Sequence, residues 1–426
     1  MTFSSLGLRP ELLQALKPKD YPAPTRIQGL AIPIILAGSD VQASAQTGSG
    51  KTAAYALPLL HQWLKQQRQT PRRVHSLVLV PTRELAVQVG ETLRQLALHA
   101  GAIKITVVFG GVSINPQMMG LRGGADVVVA TPGRLLDLLG KNALSLSEVQ
   151  TLVLDEADKL LDLGFHEELQ AILQCLPARR QNLLFSATFA PAVQSLADAL
   201  LHEPHRLDVL PDERPVDITQ RAVAVDTPQR TQLLRHLIQT QGWKRVLVFA
   251  ATQHACQIIA AKLRKAGINA EPFHGQLGQG KRSQVLADFK ASRLKVVIAT
   301  DVAARGLDIA ELPVVVNFDL PRSAVDYTHR IGRTGRAGHS GLAVSFVSPD
   351  TEAHWRLIEK RQNISVPREV LEGFAPQEPL AAKAQVDRAH PVAVHDPNGG
   401  IKGKRPNKKD KLRMAQALAS TTDSAP

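Results

Sequence analysis

The sequence predicts an α/β protein made of two tandem parallel-sheet domains, joined by a short linker and followed by a disordered basic tail. Three observations predict it. Apolar strand-like runs alternate with amphipathic helical stretches, this alternation occurs twice, and a segment rich in proline and charge separates the two series. A chain of 426 residues is also too long for one ordinary core. Residues 1–208 are assigned to the first domain, 209–217 to the linker, 218–366 to the second domain and 367–426 to the tail.

In the first series, strands are expected over 76–80, 105–109, 126–130, 151–154 and 182–185; in the second, over 246–249, 296–299, 314–318 and 341–346. These runs are nearly continuous in Val, Leu, Ile and Phe, the pattern of a parallel sheet covered on both faces. The linker reads Leu210-Pro211-Asp212-Glu213-Arg214-Pro215. No glycine-rich phosphate loop occurs in the second series, so its likeness to the first is architectural. Beyond residue 367 the composition turns to Ala, Pro, Gln and Gly, with a strong break at Asp396-Pro397-Asn398-Gly399-Gly400.

Hydrophobic residues make up 44% of the chain and charged residues 21%, ordinary for a globular protein, and no apolar stretch approaches membrane-spanning length. The first residues carry no basic segment followed by an apolar core, so a cytoplasmic, non-membrane protein is expected. Cys175 and Cys256 are expected to be buried small apolar residues without function. The net charge of +13 points toward a polyanionic partner. Residues 375–426 hold nine Lys/Arg against five Asp/Glu, so the tail contributes +4 and the folded part +9. The tail run from Lys402 to Arg413 suits either a solubilising segment or a salt-sensitive phosphate tether.

Chemistry is concentrated in two short motifs. Ala45-Gln46-Thr47-Gly48-Ser49-Gly50-Lys51-Thr52 is a turn opening into a helix, able to wrap backbone N–H groups around phosphates, with Lys51 for the terminal phosphates and Thr52 for Mg²⁺. Asp155-Glu156-Ala157-Asp158 follows the apolar run 152–154, and an acid at the end of a buried strand is a natural second anchor for the metal. Together they predict a nucleoside triphosphatase that uses Mg²⁺.

The order of motifs resembles the DEAD-box RNA helicases, over about residues 3 to 350. The resemblance implies two RecA-like domains. Tyr21-Pro22-Ala23-Pro24-Thr25-Arg26-Ile27-Gln28 is similar to the family's adenine-reading segment, in which Gln28 would face the adenine edge and Tyr21 stack on the ring. That segment implies ATP as the nucleotide. The family usually has Gly where this chain has Asp20 before the aromatic, and Ala45 opens the phosphate loop in the helicase form. By the same resemblance Asp155 holds Mg²⁺, Glu156 positions or deprotonates the attacking water, and Asp158 couples to neighbouring motifs. In Tyr327-Thr328-His329-Arg330-Ile331-Gly332-Arg333-Thr334-Gly335-Arg336, Arg333 and Arg336 are the implied arginine fingers, with His329 and Arg330 as coupling residues. Asp308 is implied to touch the ATP ribose.

Implied RNA contacts are Pro81, Thr82, Arg83, Gly110, Gly111, Thr131, Pro132, Gly133 and Arg134 in the first domain, with Gln279, Arg282, Thr300 and Asp301 in the second. Their types suit backbone recognition rather than base reading. Thr-Pro-Gly-Arg is equally an ordinary turn before a helix. Ser186-Ala187-Thr188 links nucleotide state to strand separation in the family, although on its chemistry it could equally be a helix cap. In Val248-Phe249-Ala250-Ala251-Thr252 the motif keeps its Phe among unusually small neighbours.

The expected activity is RNA-stimulated ATP hydrolysis coupled to domain closure and local unwinding of short RNA duplexes or remodelling of RNA–protein complexes. An ATP-switched RNA clamp uses the same closed state, and a DNA translocase is a further alternative. The short form and basic tail resemble bacterial RhlE-type members. That resemblance implies a monomer acting in ribosome assembly or RNA turnover.

Overall fold

A computed structural model gives the structure of the protein and describes residues 2–17, 21–45, 48–66, 70–209, 218–304, 312–335 and 340–377. The linker segment 210–217, most of the expected tail and the site residues Gln46, Thr47, Asp308 and Arg336 therefore lie outside the described residues, as does Asp20. No helix among the described residues is long and apolar enough to cross a membrane.

Strands β1 (Val41–Ser44), β2 (Ser76–Leu79), β3 (Ile105–Val108), β4 (Val127–Ala130), β5 (Thr151–Asp155), β6 (Gln181–Ser186) and β7 (His205–Asp208) form one sheet. A second is built from β8 (Ile218–Ala224), β9 (Val246–Phe249), β10 (Ala270–Phe273), β11 (Val296–Ala299), β12 (Val314–Asn317), β13 (Gly341–Val347) and β14 (Arg368–Val370). Every pairing within them is parallel. The orders are β3-β4-β2-β5-β6-β1-β7 and β10-β11-β9-β12-β13-β8-β14. Counted from its own first strand, each sheet has the same wiring.

Alternation of side chains across the pleat explains why the strands are apolar throughout. Val78, Val127, Val129 and Val153 face one core with the helices Lys51–Leu64 and Arg83–Leu96, whereas Leu77, Val128, Leu152 and Leu154 face another with Pro132–Gly140 and His166–Gln174. The second sheet divides likewise, with Val246, Val248 and Ile298 on one side and Leu247, Phe249 and Val297 on the other.

Two expectations are corrected. The second unit does not end at 366: β14 pairs with β8 in register Arg368↔Ala222, and the Gln377 N–H donates to Asp226 Oδ2 at 3.0 Å. Arg368 fastens β14 by bonding Glu352 and Glu359 on the helix Glu352–Gln362 at 2.8–3.1 Å, and its guanidinium lies over Trp355. Of the two cysteines, Cys256 is buried as expected, and burial pushes its thiol up to about 12. Cys175, however, is exposed, standing just past the end of the helix His166–Gln174.

Candidate nucleotide and nucleic-acid site

The chemistry-bearing segments lie at the C-terminal ends of strands, where open parallel sheets gather their ligands. After β1 the chain turns through Ala45, Gly48, Ser49 and Gly50 into the helix Lys51–Leu64, whose first N–H groups and dipole favour an anion. Gly50 is left-handed at φ 93°, and a Cβ there would stand 2.5 Å from Gln28 Nε2. Glycine is therefore required twice over, by conformation and by space. Lys51 is buried, its ammonium donating to the Ala45 carbonyl at 2.8 Å.

Gln28 accepts from the Thr25 N–H at 3.0 Å and donates to the Gly50 carbonyl at 3.2 Å. It is 1% exposed. The structure thus engages both ends of this amide with backbone, tying the segment expected at the adenine to the loop that precedes Lys51. Tyr21 is half-buried and meets Phe3 edge-on, with 6.1 Å between ring centroids, while Arg26 is exposed at the start of its helix. Phe3 was not singled out from the sequence, since one Phe between polar neighbours forms no pattern.

Asp155 is the last residue of β5, and Glu156 caps the following helix Ala157–Asp162 with a left-handed backbone at φ 53°, a strained position for a non-glycine residue. Each carboxylate is held by one oxygen. Asp155 Oδ2 accepts from the Tyr55 hydroxyl at 2.9 Å, and Glu156 pairs through Oε1 with the Lys159 ammonium at 2.8 Å. Their other oxygens, Asp155 Oδ1 and Glu156 Oε2, are buried without a hydrogen-bond partner. Burial raises the Asp155 carboxyl above its ordinary value despite the nearby Lys51. Burial acts in the same direction on Glu156, but Lys159, Lys51 and Arg333 outweigh it and leave that carboxyl below its ordinary value. Burial likewise lowers the Lys159 ammonium, against the pull of Glu156.

These residues fit a magnesium ion bound together with a nucleotide. Among the described residues no three His, Cys, Asp or Glu side chains are grouped to cage a metal. Mg²⁺ commonly uses only one or two carboxylates plus substrate phosphates and water. The orphaned Asp155 oxygen and the part-buried Thr52 hydroxyl at the helix start supply that kind of donor set. Tyr55 and Lys159 are additions to the sequence reading. Their only sequence signal is helical spacing, Tyr55 one turn beyond Thr52 and Lys159 one turn beyond Glu156.

The segment after β6 is linked to the acidic motif. Ser186 Oγ accepts from the Asp158 N–H at 3.2 Å and donates to the Thr188 carbonyl at 2.7 Å, and Thr188 Oγ1 donates to Asp158 Oδ2 at 3.4 Å. Ala187 joins the two hydroxyl residues. In the second sheet domain, Arg333 is buried and close enough for its charge to act on both Glu156 and Lys159. His329 approaches the same motif: burial and then the Lys159 charge hold its imidazole below the ordinary histidine value.

Arg330 grips Asp301 through two bonds of 2.6 and 2.7 Å, donates to Asn317 Oδ1 and the Asp319 carbonyl, and lies over Phe249. Asp301, expected at RNA, is here the partner of Arg330. Phe249 acts as its platform.

Nine of the thirteen expected RNA contacts, Pro81, Thr82, Arg83, Gly110, Gly111, Thr131, Gly133, Arg134 and Arg282, line a shared groove of about 530 Å³. Thr82 caps the helix that begins at Arg83, and Thr131 Oγ1 accepts from the Gly110 N–H at 3.3 Å. Pro132 opens the helix that carries Arg134. Arg134 is buried and donates to the Val112 carbonyl at 2.7 Å, bracing the glycine loop, while its Nη1 is buried at the groove wall without a hydrogen-bond partner. Arg282 pairs with Glu84 across the groove at 2.9 Å and lies over Phe273. Gln279 begins the Arg282 helix, and Thr300 stands just after β11 without lining the groove. Glu84, which belongs to the expected segment 81–86, also lines it, and Asp137, Leu163, Phe165, Gly275, Val302 and Ala303 complete the lining and were not foreseen.

Residues 25–196 match the family described as DEAD/DEAH box helicase, and residues 229–338 match the helicase conserved C-terminal domain. The chain is 39% identical over 359 residues to the ATP-dependent RNA helicase CshA of Listeria monocytogenes, covering 84% of this chain and 68% of that protein. It is 40% identical over 352 residues to CshA of Geobacillus kaustophilus, covering 82% and 74%. Among solved structures, S. cerevisiae Dbp5 bound to RNA and ADP BeF3 superposes with a TM-score of 0.76 at 31% identity, over 87% of this chain and 95% of that one.

Proposed function

The chain belongs to the DEAD-box family of ATP-dependent RNA helicases, and from that premise we propose how its residues divide the work. The protein is an enzyme that hydrolyses ATP in the service of RNA helicase action. Its first RecA-like domain holds the nucleotide: Tyr21, Arg26 and Gln28 at the adenine, the loop from Ala45 to Thr52 at the phosphates, and Lys51 at the terminal ones. Thr52 and Asp155 would hold Mg²⁺, which when bound would offset phosphate charge. Glu156, kept ionised by its cationic neighbours, orients the attacking water and accepts its proton.

The second domain completes the site. The observation that carries this reading is the buried Arg333, whose charge reaches Glu156 from the other sheet domain. Arg336 is assigned beside it and Asp308 at the ribose. RNA binds by its backbone along the groove, and the Ser186–Thr188–Asp158 contacts carry the state of the nucleotide toward it.

Displacement of one strand from a short RNA duplex, followed with and without ATP, tests the reading. ATP-dependent RNA binding without displacement would replace unwinding by clamping. Equal stimulation of ATP hydrolysis by matched RNA and DNA strands would overturn RNA selectivity, since 2′-hydroxyl contacts distinguish the two. The RhlE-type subgroup, a monomeric cytoplasmic state and a setting in ribosome assembly or RNA turnover rest on sequence alone. The relatives reported above carry the CshA name and give that subgroup no separate support.

A further inference from the structure

Tyr55 stands one turn beyond Thr52 on the helix Lys51–Leu64, among Ala, Leu and Pro side chains. Its ring is fully buried and packs against Phe185, with 5.3 Å between centroids. Apolar packing would be satisfied by phenylalanine; what tyrosine adds is one hydroxyl, and a buried hydroxyl needs a partner. That partner is Asp155 Oδ2 at 2.9 Å, and the Thr52 side chain faces the same phenol oxygen. The phenol thus bonds one of the two side chains assigned to the metal and stands one turn beyond the other.

The second observation is what remains unpaired. Asp155 Oδ1 is buried with no hydrogen-bond partner, so the carboxylate has one tethered oxygen and one presented. Without the tether the two oxygens could exchange by rotation of the carboxylate. Lys159 treats Glu156 in the same way, holding Oε1 and leaving the buried Oε2 unpaired. We propose that Tyr55 is a positioning residue for the metal centre, orienting Asp155 so that Oδ1 faces Mg²⁺ and keeping the Thr52 hydroxyl beside it. The proposal rests on the assignment of Asp155 to the metal.

Binding of a fluorescent ADP to the full-length wild type and to Tyr55→Phe, in EDTA and across a Mg²⁺ titration, separates the two assignments. Tyr55→Phe keeps the ring and its packing, and binding in EDTA reports whether the phosphate loop remains intact. The expected result is metal-free ADP affinity within about twofold of wild type, with the Mg²⁺ concentration for half-maximal tightening raised about tenfold, as for loss of a residue that orients a metal ligand. An unchanged Mg²⁺ midpoint overturns the role of Tyr55 alone. Equal weakening in EDTA and in Mg²⁺ also overturns it, because the residue would then shape the loop and not the metal centre. A wild type indifferent to Mg²⁺ overturns both this proposal and the assignment of Asp155.

Discussion

Glu84 of the first sheet domain and Arg282 of the second meet at 2.9 Å, each side chain less than a tenth exposed. Truncating one member of such a pair leaves the other charge buried and unpaired. Glu84→Ala is therefore expected to weaken RNA binding in the presence of a non-hydrolysable ATP analogue by about 2 kcal/mol, roughly thirtyfold. The double variant with Arg282→Ala should lose less than the sum of the single changes. If Arg282 served RNA alone, Glu84→Ala would leave binding unchanged or tighten it.

Glu156→Gln should retain ATP and RNA binding while hydrolysis falls by about 10² to 10⁴, the usual worth of a general base. Lys159→Met strands the buried carboxylate instead and should lower thermal stability; adding Glu156→Gln should restore much of it. Full ATPase activity in Glu156→Gln removes the residue from water activation.

Arg333→Ala removes the cation that the second domain directs at Glu156. Turnover is expected to fall by about 10³, as for loss of an arginine finger, with nucleotide binding by the first domain retained. Single-turnover measurements at saturating ATP separate these effects.

Gly111→Ala tests the groove. Gly111 has φ 73°, and a Cβ would stand 2.3 Å from the Arg83 guanidinium. Backbone strain alone costs about 1 kcal/mol, and Arg83 must also move. RNA affinity should drop while ATP binding without RNA stays at the wild-type level.

Glu359 tests the anchoring of β14. Burial works to raise its carboxyl, but bonds from Arg368 outweigh this and hold it below the ordinary value of 4.5. A folded-state value below the unfolded one means stability that is present above the unfolded value and lost as pH falls through the folded one. Thermal melts of wild type below pH 4.5 should show this loss, and Glu359→Gln should flatten that part of the acid limb.

The phosphate loop and the acidic motif were legible because their chemistry is written within a few consecutive residues. Strands β5 and β9 were legible because they are continuous apolar runs. β1 was missed: Val-Gln-Ala-Ser has no such run, although it carries the phosphate loop. β10 contains Glu271 and Pro272, and β7 and β14 are edge strands with mostly open faces. Pairing with a neighbouring strand distant in the sequence decided these cases, and no local pattern expresses it. In the site, the family resemblance implied an RNA contact at Asp301; its bidentate partner lies 29 residues on, where no local pattern points to it. Tyr55 looks like core until Asp155, 100 residues away, is placed against it.

The shared strand order has a consequence for how the chain assembles. Two sheets wired alike in one polypeptide offer each strand a counterpart site in the wrong half, and repeated folds are prone to such misassembly. The gap between His205–Asp208 and Ile218–Ala224 eases the hazard. The last strand of one half precedes the first strand of the other, so on the ribosome the earlier half can close before its double emerges. Denatured full-length chain, by contrast, must refold with both halves present at once.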